Sequence, residues 1–123
     1  MKTKTLLMLS SSIEFVTGLA LIAAPGFVVN LLLSAGLGAG GEAVARVGGL
    51  GLVSLACACW PLREDDQTQP VRALFLYNLL AACYLGYLRI GGEFSSVALF
   101  PAAILHGVLA LLFARPAYTL MRR

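Results

Sequence analysis

Apolar positions along this chain fall into four long blocks, and the charged positions fall almost entirely between them. The blocks cover residues 6–24, 43–60, 71–88 and 97–114. Each is close to the roughly 20 residues a helix needs to cross a hydrocarbon core about 30 Å thick. The pattern predicts an all-α integral membrane four-helix bundle, one transmembrane domain over residues 1–123. A fifth apolar run, residues 27–33, follows the Pro25-Gly26 stop signal and is too short to span. It is expected as a short interfacial or re-entrant helix.

Local signals refine these blocks. Residues 34–41 are rich in Gly and Ala and read as a flexible connection. In the second span Gly41, Ala45 and Gly49 recur every fourth residue, a small-residue ridge that lets membrane helices approach closely. Gly48 and Gly51 widen that smooth face, and its partner could lie in the same chain or in another. Trp60-Pro61 marks a membrane interface. Pro70 opens the third span where its missing N–H costs nothing. Gly91-Gly92 makes the next turn, Ser95 or Ser96 can cap the fourth span, and Arg115-Pro116 is expected to end it.

Composition agrees with a lipid setting. Hydrophobic residues make up 59% and charged residues 12%, about half the charged share of an ordinary soluble domain. The net charge of +3 does not point to nucleic acid, because the basic residues are dispersed at span ends. Lys2, Lys4, Arg63, Arg72, Arg115, Arg122 and Arg123 fall on one side, and only Arg46 and Arg89 on the other. That asymmetry predicts both termini on the cytoplasmic side. The start resembles a signal peptide, but Glu14 interrupts its apolar core and Pro25 disfavours cleavage after Ala23-Ala24, so a retained first span is expected.

Polar residues inside the spans carry the candidate chemistry, because they are costly in lipid and usually face protein. With a rise of about 1.5 Å per residue, Glu14 and His106 lie about 12 Å from the cytoplasmic boundary, Asn78 about 10 Å and Ser54 about 9 Å. All four spans thus place a polar side chain in one layer. Neighbours four residues away share a helix face. Around Glu14, Asn78 and His106, five of the six such neighbours are Gly, Ala or Ser, with Leu74 the exception. Glu14 and His106, with Asn78 and Ser54 beside them, are therefore a candidate ligand or proton site, and a Glu14–His106 pair there would titrate as a unit. Equally, these groups can simply hydrogen-bond across helices at about 0.6–2 kcal/mol each. At the opposite boundary, Arg46 is expected to pair with Glu42 or Glu93.

Other signatures are missing. The cysteines, Cys57, Cys59 and Cys83, are odd in number, and Cys57 and Cys59 point to nearly opposite sides of a helix. They read as small apolar filler. No phosphate loop, Cys-x-x-Cys or His-x-x-His pattern occurs, and a single His excludes a bis-His haem within one chain. The acidic run Glu64, Asp65, Asp66 reads as a solvated loop, not a metal site. Tyr77, Tyr84 and Tyr87 read as packing or interface anchors. No catalytic residue, metal or cofactor is required by the sequence.

The set Glu14-x-x-Thr17-Gly18, Pro25-Gly26, Leu31–Leu33, Ala45-Arg46-x-Gly48, Cys59-Trp60 and Tyr77-Asn78 resembles small bacterial four-helix membrane proteins of the broader DoxX-like class. The likeness covers nearly the whole chain. It implies a compact inner-membrane bundle, in some cases an accessory subunit beside membrane redox enzymes; DoxX itself is associated with thiosulfate:quinone oxidoreductase. No residue here matches a catalytic motif, so that activity is not carried over.

The expected function is a non-catalytic accessory or assembly protein that binds another membrane subunit or itself within the bilayer. One alternative is an oligomeric proton-coupled transporter or channel using the Glu14–His106 layer. Another is a quinone-binding subunit of a redox complex.

Overall fold

The computed structural model describes residues 1–62 and 67–122. The acidic run and Arg63, with Arg123, lie outside the described residues. Among the described residues five helices form, in the order α1 (Thr3–Ala23), α2 (Pro25–Leu33), α3 (Ala39–Cys59), α4 (Thr68–Ile90) and α5 (Leu99–Met121). The four longer ones are long and apolar enough to cross a membrane. The nine residues of α2 rise only about 13 Å, far short of a span.

Three boundaries differ from expectation, each for a physical reason. α3 begins at Ala39, inside the Gly/Ala-rich connection, where the Glu42 N–H reaches the Gly38 carbonyl at 3.0 Å. α5 does not end at Arg115-Pro116 but runs on with Pro116 inside it. Proline there removes one bond to the Leu112 carbonyl, yet continuing the helix buries Ala117 in the core and packs Leu120 against it. Ser96 does not cap α5 directly. Its hydroxyl accepts from the Ala98 N–H at 3.2 Å and donates to the Leu31 carbonyl, tying α2 to the turn before α5.

The turns use the residues their geometry needs. Pro25 sits at the start of α2, and Ser34 ends it in a left-handed conformation at φ 54°. Gly92 takes φ 75°, which glycine adopts without strain.

Packing makes two antiparallel pairs, α1 with α3 and α4 with α5, and these meet along a seam. At the end that carries the termini the seam is apolar: Leu6, Leu7, Cys59, Val71, Leu74, Leu109, Phe113 and Ala117 form one buried cluster drawn from all four long helices. Farther along α1 the α1–α3 contact narrows to backbone. A Cβ on Gly49 would stand 2.6 Å from the Gly18 carbonyl oxygen, and one on Gly18 would stand 2.7 Å from the Gly49 carbonyl oxygen. The partner of the small-residue ridge is thus α1, and Gly49 is the position that needs to be small. At Gly41 the nearest atoms belong to the side chain of Leu37, and Ala45 is half-buried. Gly48 and Gly51 face open space.

Candidate functional site

A polar layer lies one helical turn beyond the apolar cluster. On α1 the buried Leu7 gives way to Ser10, Ser11 and Glu14; on α4 Leu74 gives way to Asn78; on α5 Leu109 gives way to His106. Each step is three or four residues, so apolar and polar groups share one inward face. Ser10, Ser11, Glu14 and Asn78 are all at most 1% exposed.

Asn78 is the hub. Its Nδ2 donates to the Leu74 carbonyl at 2.8 Å and to Ser10 Oγ at 3.3 Å. Its Oδ1 lies 2.8 Å from His106 Nδ1. An amide oxygen can only accept, so Nδ1 carries the proton, and in the neutral ring Nε2 is left as an acceptor. The Tyr77 ring packs edge-on against the His106 ring, with centroids 5.7 Å apart and planes at 84°. The Tyr77 hydroxyl in turn approaches the Glu14 carboxyl group.

Glu14 and His106 belong to one cluster, joined through Tyr77. His106 turns its Nδ1 to Asn78 on the neighbouring helix, and Tyr77 stands in contact with both residues. Tyr77, expected as a packing or interface anchor, joins the polar cluster. Its signal was adjacency to Asn78, which puts it beside the same seam. Ser54 does not join: it is exposed and bonds the Leu50 carbonyl of its own helix at 2.8 Å.

The layer is incompletely satisfied. Glu14 Oε1 and Ser11 Oγ are buried without a hydrogen-bond partner. Buried polar atoms are nearly always paired, and an unpaired one costs about 1–3 kcal/mol. This cluster can still accept hydrogen bonds at Glu14 Oε1 and His106 Nε2, and it can give or accept one at Ser11.

The remaining candidates are peripheral. Arg46 pairs with Glu42 at 3.2 Å, not with Glu93, one turn apart on the exposed face of α3. Cys57 and Cys83 are exposed, Cys59 is buried, and none forms a disulfide. Among the described residues no group of His, Cys, Asp and Glu could hold a metal ion. Tyr84 and Tyr87 stack on one another at 6.4 Å on the outer surface of α4.

No protein-family model, curated protein or solved structure matches this chain. What fold and site define together is an all-helical protein with four helices fit to cross a membrane and a polar cluster buried between them.

Proposed function

We propose that this chain is a small multi-pass membrane protein that binds a polar ligand group inside its helical bundle, with Glu14, Tyr77, Asn78 and His106 forming the receiving site. The observation that carries this reading is the buried, unpartnered Oε1 of Glu14. A polar layer that served only to hold helices together gains from pairing every buried atom, and an apolar residue in place of Glu14 would hold them better. The acceptors at Glu14 and His106 suit a ligand that brings hydrogen-bond donors or a proton. The basic-residue asymmetry supports a bacterial inner-membrane setting with cytoplasmic termini, and the residue pattern supports a DoxX-like relationship.

Ligand-dependent stability tests the reading. Binding to the folded state stabilises it by about 2.7 kcal/mol at a ligand concentration one hundred times Kd. Protein purified in detergent and stripped of lipid should melt at a higher temperature when an extract of its native membranes is returned. The Glu14→Leu variant should not respond. Equal responses from both proteins would overturn the proposal.

A second reading, an accessory or self-associating subunit, is favoured by the outer face of α3. Val44, Val47, Gly48 and Gly51 share one face there; both valines are more than 60% exposed and both glycines have open space beside them. Such a surface accepts a further membrane helix at close range. Gly48→Ile should then reduce the native mass of the complex extracted in mild detergent, and an unchanged mass would count against a partner on this face.

A further inference from the structure

Between α1 and α3, toward the end that carries the termini, lies a cavity of about 520 Å³. Its walls include Ser11, Phe15, Val16, Ala56, Trp60 and Leu62. The volume falls within the roughly 300–1,000 Å³ typical of small-molecule sites. Among the described residues no charged side chain lines it. One lining residue, Ser11, is fully buried and its hydroxyl has no hydrogen-bond partner. On α1, Ser11 stands three residues from Glu14 and four from Phe15, so it shares a face with both. The apolar cavity therefore borders the polar layer at Ser11.

We infer that this cavity binds a single-chain, uncharged amphiphile from the lipid phase, its chain along Phe15, Val16, Ala56 and Trp60 and its hydroxyl or carbonyl head at Ser11. The occupant follows from the chemistry of the walls. An apolar trough offers a hydrocarbon chain the contacts it has in lipid, and the one unsatisfied buried hydroxyl offers the head a hydrogen bond. A carboxylate or phosphate head would meet no cation among the described lining residues. This deepens the proposed function and rests on it in one respect: the polar layer that Ser11 adjoins is taken to receive a ligand, which the cavity would admit sideways from the bilayer.

Trp60 is the only tryptophan of the chain and lines the cavity, so it reports occupancy directly. The full-length protein in nanodiscs is titrated with a monoacylglycerol whose chain carries bromine, a contact quencher of tryptophan. Saturable quenching above the linear background of lipid partition is expected. Ser11→Ala should weaken the apparent affinity at least fivefold, and Val16→Phe, at an exposed wall position, should weaken it as well. A brominated fatty acid, ionised at neutral pH, should bind at least tenfold more weakly. Linear quenching in the wild type, no effect of Ser11→Ala, or tighter binding of the fatty acid would each overturn the inference. Glu14→Leu separates the two claims. Saturable quenching together with membrane-extract stabilisation that is indifferent to Glu14→Leu would sink the proposed polar site and leave the chain site standing. Stabilisation that depends on Glu14 with only linear quenching would do the reverse.

Discussion

His106 Nδ1 lies 2.8 Å from Asn78 Oδ1, a side-chain bond that joins α5 to α4 at the level of Glu14. It sets the imidazole tautomer, because Asn78 uses both protons of its amide group on Ser10 and the Leu74 carbonyl. It also leaves Nε2 as the nitrogen able to accept from a ligand. The layer is thus oriented from its own hub outward, with Tyr77 linking the imidazole to the carboxyl group.

Asn78 should be the most sensitive polar position in the bundle. Asn78→Leu removes the bonds to Ser10, Leu74 and His106 together and frees the imidazole to rotate. A loss of about 1–3 kcal/mol is expected from unpaired buried groups and broken interhelical bonds. Ser54→Ala, at a residue bonded only within its own helix, should change stability by less than about 0.5 kcal/mol. Unfolding of the two variants in mixed detergent micelles compares them directly.

Gly49 and Gly48 are adjacent in sequence and should behave oppositely. A Cβ at Gly49 collides with the Gly18 carbonyl oxygen, so Gly49→Ala must push α1 and α3 apart and should cost about 1–3 kcal/mol. Gly48→Ala meets nothing and should be neutral or slightly stabilising through helix propensity. Thermal melting followed by circular dichroism reads both.

The Arg46–Glu42 pair should matter little to the bundle. Both side chains are at least 40% exposed, and pairs one turn apart on a helix surface contribute only about 0.3–0.5 kcal/mol. Arg46→Ala should leave the melting temperature within about 2 °C; a larger drop would mean that Arg46 has a further structural role.

The hydropathy blocks located all four long helices, because apolar residues run around nearly every side of each. It follows that the existence of each helix was readable but its rotation about its axis was not. Ser54 shows the difference. Its depth matched the polar layer, but at about 100° per residue it points almost opposite to the buried Ala56. Glu14, Asn78 and His106 were legible because small neighbours one turn away marked their inward faces. Tyr77 carried the same mark, with Ala73 and Ala81 one turn away, but its ring reads equally as an interface anchor; Ser11, between Leu7 and Phe15, carried none, and only the pairing of α1 with α3 and of α4 with α5 brings it to the seam. Pro116 misled for a related reason: a proline stop signal was outweighed by the burial of Ala117 one residue later.

Glu14 is the position where stability and function should separate. Glu14→Leu removes a carboxyl group that has one unpaired oxygen but also the partner of the Tyr77 hydroxyl, so it is combined with Tyr77→Phe, and the stability of that double variant in ligand-free detergent should rise by about 1–3 kcal/mol. Sites kept for function often carry such a cost. The most direct test combines that melt with native mass spectrometry of the wild type and Glu14→Leu released gently from their own membranes. A small molecule is expected on the wild type and not on Glu14→Leu, with the Glu14→Leu/Tyr77→Phe variant more stable than the wild type once both are stripped. Identical bound mass on wild type and Glu14→Leu, with a double variant less stable than the wild type, would make Glu14 a structural residue and contradict the proposed site.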